Sequence, residues 1–192
     1  MEPKDVLQRY LTRERASLLS RLDGLGEREV RWPMTPTGTN LLGLVKHVAS
    51  VELGYFGEVF DRPSGEPLPW MDEGAEPNAD LWATPEESTA DILALARRAA
   101  AHTDATIAAL DLDAPGRVPW WPRERQQVTL HTILVHMVAE LCRHAGHADI
   151  LAELLGGSTG DDRGNLPEQS AAEWAAYRRR LEQAAEAAEA AQ

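Results

Sequence analysis

The chain has 192 residues, with 31 acidic and 19 basic side chains and a formal net charge of -12. That balance argues against a nucleic-acid partner, which would need a basic face for phosphates, and against docking on an anionic membrane. The apolar fraction of 43% suits a globular chain and excludes a disordered one. A single cysteine, Cys142, precludes an internal disulfide and suits a reducing compartment. The opening Met1-Glu2-Pro3-Lys4-Asp5 carries no apolar stretch of a secretory signal, so a cytoplasmic protein is expected.

Taken in chain order, the first helix runs from about Lys4 to Leu22, with Leu7, Leu11, Leu18 and Leu22 on one face, and Gly24 and Gly26 end it. A turn-rich segment, Trp32 to Thr39, follows. Asn40 is a good N-cap for a second helix reaching about Phe60. Leu41, Leu44, Val45, Val48, Val51, Tyr55, Phe56 and Val59 make its apolar arc, with His47 at the edge and Glu52 in the middle. A carboxylate there needs a partner or a function.

Asp61 to Ala83 reads as a long loop with Trp70 and Trp82. Thr84-Pro85-Glu86-Glu87 has the form of a capping box with proline at the first helical position, predicting a third helix to about Leu110. A second loop, Asp111 to Val128, contains Trp120-Trp121-Pro122. These tryptophans either wall a pocket or close the core. The fourth helix starts near Thr129 and runs to Leu155, stopped by Gly156-Gly157. From Ser170 a charged, Ala-rich helical tail carries Trp174 and Tyr177 as docking residues. No stretch alternates with period two. The expectation is an all-α protein, a four-helix bundle over 1–160 with a C-terminal helical extension over 161–192 packed on it.

The fourth helix carries the chemistry. His136, Glu140 and His144 are spaced i, i+4, i+8, and His147 follows three residues later, so all four share one face. Such groups in an apolar stripe must be paired, wet or metal-bound. His47, the one histidine of the second helix, would complete a His/Glu/His set with Glu140 and His144, leaving positions open as catalytic metals require. An interior hydrogen-bond network without metal accounts for the same spacing. His102 and His131 lie on polar faces. Cys142 points away from His144 and reads as a packed thiol. Arg143 borders the polar face, suited to a substrate anion or to a surface salt bridge. Glu52 reads as a partner of a histidine or an arginine, or as a helix-end charge.

Three pieces together resemble the DinB/YfiT-like superfamily: Gly38-Thr39-Asn40-Leu41-Leu42-Gly43-Leu44-Val45-Lys46-His47 with Val51-Glu52, then Leu134-Val135-His136-Met137 with Glu140, then Arg143-His144-Ala145-Gly146-His147-Ala148-Asp149. The resemblance spans Leu7 to Gly157 and is nearest to a branch common in actinobacteria and catalogued as a DinB-related domain of unknown function. It implies an up-down-down-up bundle, often a homodimer, and a divalent metal on His47, Glu140 and His144. Many members have histidine where this chain has Glu140, which instead is similar to the ligand set of the mycothiol-dependent isomerases. Zinc and nickel suit such nitrogen and oxygen donors best. The implied activity is thiol S-transfer from mycothiol or a similar small thiol to an electrophile, with His147 or His136 as acid/base and Arg143 and Glu52 near the cosubstrate. A non-catalytic metal- or small-molecule-binding dimer and a metal-dependent hydrolase are the other readings.

Overall fold

A computed structural model describes residues 2–156 and 166–190. The chain divides into two units, Met1–Gly160 and Asp161–Gln192. The boundary at 160/161 and Gly157 lie outside the described residues.

The first unit is an all-α bundle of four long helices: α1 (Pro3–Ser20), α3 (Leu41–Phe56), α4 (Thr89–Ala109) and α5 (Leu130–Leu154). A short α2 (Glu27–Arg31) sits between the first two. Side-chain pairs set the directions. Lys46 meets Glu87, and Arg62, beyond the end of α3, meets Thr106, so α3 and α4 run parallel. His47 meets Glu140 while Tyr55 meets His136, so α3 and α5 are antiparallel. Arg15 meets Asp104, and Lys4 meets the Leu110 carbonyl, so α1 opposes α4. The order is up-down-down-up. Parallel neighbours need a connection that returns along their length, which explains the long α3–α4 crossing.

The apolar stripes close one core, with Leu11, Leu18, Leu42, Phe56, Ile107, Leu134, Met137 and Leu141 fully buried. Asn40 caps α3 by accepting from the Gly43 N–H at 2.8 Å, and Thr129 caps α5 through the Thr132 N–H.

Several boundaries differ from the sequence reading. The α3 helix stops at Phe56, and Gly57 opens a tight turn over Glu58–Phe60. The Thr84 box does not start α4. Glu87 does accept from the Thr84 N–H at 2.7 Å, but its carboxylate is drawn to Lys46, and Ser88 with Asp91 forms the box that caps the helix at Thr89. The α2 helix and an antiparallel hairpin, β1 (Pro115–Arg117) with β2 (Gln127–Thr129), were not foreseen. Strands of three residues are too short to show alternation. Cys142 is exposed, not packed, because that face of α5 turns outward.

A buried lysine anchors the α3–α4 crossing, and Arg31 adds bonds to the carbonyls of Ala83, Thr84 and Glu87. Lys46 is 1% exposed, and its ammonium donates to the carbonyls of Ala79 and Trp82, each at 3.0 Å, and pairs with Glu87 at 2.8 Å. Its cation also lies 4.0 Å from the Trp70 ring centre. Asn40 adds a bond to the Leu81 carbonyl at 3.2 Å. The loop passes so close that a Cβ on Gly43 would sit 1.8 Å from the Leu81 oxygen. Only glycine admits this contact.

The second unit contains α6 (Ala171–Ala190). Its first turn is closed by Ser170 and Glu173, and Trp174 and Tyr177 pack edge-on at 5.9 Å. Among the described residues no helix is long and apolar enough to cross a membrane.

Lys46→Met should cost about 3 kcal/mol, since a carboxylate and two carbonyls lose a buried cation. The urea midpoint should fall; an unchanged midpoint would show that the crossing is held by other contacts.

Candidate functional site

The α3 and α5 helices bring three sequence-predicted residues together. His47 Nε2 faces Glu140 Oε1 at 3.5 Å, and His144 Nε2 lies 3.1 Å from the same oxygen. One ligand atom from each of the three lies within 4.8 Å of the others. The two imidazole rings pack edge-on at 4.8 Å. All three side chains are half-buried.

A fourth residue completes the group, and the sequence reading missed it. Asp80 Oδ2 lies 2.6 Å from His47 Nδ1. A carboxylate only accepts, so His47 Nδ1 carries the proton and donates. Nε2 of the same ring faces the Glu140 carboxylate. Two acceptors facing one another at 3.5 Å repel unless a cation or proton lies between them. Asp80 belongs to the tight turn Ala79–Leu81 in the segment that Lys46 clamps. Thirty-three residues separate it from His47, so no local spacing could have revealed it.

Burial and neighbouring charges oppose one another at Glu140 and His144. Burial raises Glu140, but the hydrogen bond and charge of His144 and the contact with His47 outweigh it, so its carboxyl stays below the ordinary range. Burial and the neighbouring His47 lower His144, against the pull of Glu140, and favour its neutral, ligating form.

The donor set fits a divalent ion. Ligand atoms about 2.0 to 2.1 Å from a tetrahedral ion lie about 3.3 to 3.4 Å from one another. The Glu140 oxygen lies 3.1 and 3.5 Å from the two imidazole nitrogens, which brackets that spacing, and all three atoms lie within 4.8 Å of one another. One carboxylate and two imidazoles suit zinc or nickel, and Asp80 supplies the outer carboxylate that metal-binding histidines usually have.

The other predicted residues lie around or apart from this group. His147 is exposed, 5.6 Å ring to ring from His144, and both line a cleft of roughly 440 Å³ with Thr37, Thr39, Asn78 and Trp82. His136 is one turn before Glu140, edge-on to Tyr55 at 4.8 Å and to Trp121 at 5.1 Å. Burial, opposed by Glu140 and helped by Arg125, holds it below the ordinary imidazole value. Arg143 is exposed on the outer side of α5.

Glu52 is not brought to the group. It is 2% exposed and accepts from Arg15 Nε at 2.7 Å, while Arg15 also reaches Asp104 at 3.0 Å. Burial works against the Arg15 charge, but the two carboxylates keep it raised. This triad ties α1 to α3 and α4 beside a separate, largely apolar cavity of roughly 240 Å³.

Glu52→Ala should therefore cost about 3 to 5 kcal/mol of stability by stranding Arg15. Calorimetric unfolding would show the loss, and zinc uptake by the folded fraction should equal wild type. Loss of zinc with unchanged stability would return Glu52 to the His47 group.

Comparison with known proteins agrees with the geometry. No curated protein matches the chain. A family model described as mycothiol-S-transferase matches residues 6–157, which holds all of the bundle but the first three residues of α1 and every residue of the His47 group. The chain belongs to the mycothiol-S-transferase family, of the DinB/YfiT-like kind.

Proposed function

We propose that the protein is a metal-dependent thiol S-transferase that uses mycothiol or a closely similar small thiol. The observation that carries this reading is the convergence of His47 Nε2, His144 Nε2 and Glu140 Oε1, with the His47 tautomer fixed by Asp80. These three side chains would hold the ion, zinc or nickel by their chemistry. A divalent ion in such a site lowers the pKa of a thiol bound to it, which makes thiolate available at neutral pH.

The chain's own groups do the rest. His147, at the cleft wall beside His144, is placed to take the thiol proton. The sulfur then forms a C–S bond at the electrophilic carbon. In a displacement the leaving group departs with its bonding pair. In an addition the π pair moves to the neighbouring atom, and His147 returns the proton. Thr37, Thr39 and Asn78 line the cleft with hydrogen-bonding groups suited to a polar, sugar-bearing thiol. Cys142 is no substitute nucleophile: it lies outside the cleft, and partial desolvation together with Glu14 raises its pKa. The cytoplasm, where disulfide-free thiol chemistry operates, is the location this reading requires.

Protein purified without chelator should carry about one equivalent of zinc or nickel, and His47→Ala and His144→Ala should carry none, by elemental analysis. Full occupancy in either variant would remove the ligand assignment. Asp80→Ala should bind zinc about 10- to 100-fold more weakly, because the His47 ring loses its orienting partner. His144 is held low, so protons should compete with zinc for it only below the ordinary imidazole range, and zinc should stay bound through neutral pH and be released at lower pH. A zinc titration between pH 5 and 8 reads this directly.

A further inference from the structure

The hairpin missed in the sequence presents two tryptophans to α3. Trp120 and Trp121 both donate their indole N–H to the Tyr55 hydroxyl, at 3.3 and 2.9 Å. Gln126 fixes the hairpin loop by donating to the carbonyls of Pro119 and Trp121. Tyr55 is buried, while Trp120 is 49% exposed. An indole held in place by its N–H and still half-exposed is a flat π surface with no donor left to offer. Trp121 is not free in this way: the Arg125 guanidinium lies over its ring at 5.5 Å and His136 meets it edge-on.

The Tyr55 hydroxyl is unusual in its use. A hydroxyl has two acceptor sites and one hydrogen. The two indoles fill the acceptor sites, so the hydroxyl's hydrogen is its only remaining valence. Two accepted bonds polarise that O–H and make it a stronger donor. Its position is also informative. Tyr55 is two turns, about 12 Å, beyond His47 on α3, and helical side chains lean toward the N-terminus, here toward the His47 level. His136, in contact with Tyr55, is one turn from Glu140 and feels its charge.

We propose that Trp120 and Tyr55 form the electrophile subsite, and that the electrophile is a planar conjugated carbonyl compound. This deepens the S-transferase reading and rests on it for the reaction. The conjugated plane stacks on Trp120. The carbonyl oxygen accepts from Tyr55, and the β-carbon extends toward the His47 group. The sulfur forms a bond to the β-carbon, the π pair moves to the carbonyl oxygen, and the charge there is met by the Tyr55 O–H. The proton taken from the thiol is returned to the α-carbon, so the product is the saturated thioether. Tyr55 is thus a catalytic residue for conjugate addition, with no role in displacement at an alkyl halide.

The test uses the metal-loaded full chain with trans-4-phenyl-3-buten-2-one as the planar enone and 1-iodobutane as the carbonyl-free electrophile. Without thiol, calorimetric titration should show enone binding that falls at least 10-fold in Trp120→Ala and stays within about 3-fold in Trp120→Phe, which keeps a ring. Tyr55→Phe should weaken enone binding by about 2- to 10-fold, the worth of one hydrogen bond, and leave binding of the carbonyl-free 4-phenyl-1-butene unchanged. With mycothiol, Tyr55→Phe should lower kcat for the enone about 100-fold and leave the 1-iodobutane rate within 2-fold. Equal enone binding by wild type and Trp120→Ala overturns the subsite. Equal losses for both electrophiles in Tyr55→Phe reduce Tyr55 to a scaffold and overturn its catalytic role. Enone binding that depends on Trp120 and Tyr55, with no turnover of either electrophile, upholds the subsite and overturns the S-transferase reading instead.

Discussion

The Lys46 ammonium is the contact on which the site depends. A buried cation without partners would not be tolerated, so the segment from Ala79 to Glu87 must come to it with two carbonyls and a carboxylate. That requirement brings an irregular crossing down onto α3, at a place where Gly43 has no side chain to resist it. Asp80 arrives with the segment and meets His47. The ring orientation at the centre of the site is thus set by a lysine one residue away that never touches it.

The second constraint is electrostatic. An aspartate on one nitrogen of His47 and a glutamate facing the other leave the site short of positive charge. His144 does not supply it, because burial keeps that ring toward its neutral form. A divalent ion would resolve the imbalance, with Glu140 Oε1 at 3.1 and 3.5 Å from the two imidazole nitrogens. By contrast, the other buried carboxylate of α3, Glu52, has Arg15 as its counter-charge and needs no ion. Two glutamates embedded in the same bundle therefore have opposite uses, decided by whether an arginine reaches them.

The bundle's surroundings are also unequal at its two ends. On one side of the His47 group lie Thr37, Thr39, Asn78 and His147, hydrogen-bonding groups set among Leu44, Leu81 and Trp82. On the other lie Tyr55, Trp120, Trp121 and His136, an aromatic wall whose polar atoms are turned inward. The proposed transfer, joining a polar thiol to an apolar carbon, would use such an asymmetry. The long helices α3 and α5 supply His47, Tyr55, His136, Glu140, His144 and His147, and the connections add Thr37, Thr39, Asn78 and the two indoles around them.

Much was legible in the sequence because it is written in local periods. The apolar stripes predict the helices, Asn40 and Thr129 mark two of their starts, and the i, i+4 spacing places Glu140 and His144 on one face. His47 could be added as the one histidine on the facing helix. Three residues per strand left the β1–β2 hairpin silent, and the Thr84 capping pattern placed the α4 start too early, since Glu87 pairs with Lys46 and Ser88 caps the helix instead. Tertiary structure alone decided the partners of charge: Asp80 for His47, Arg15 for Glu52, both indoles for Tyr55. Those pairs join residues 33 to 66 positions apart, where chain connectivity carries no signal and only the packed fold brings opposite charges, or donors and acceptors, within reach.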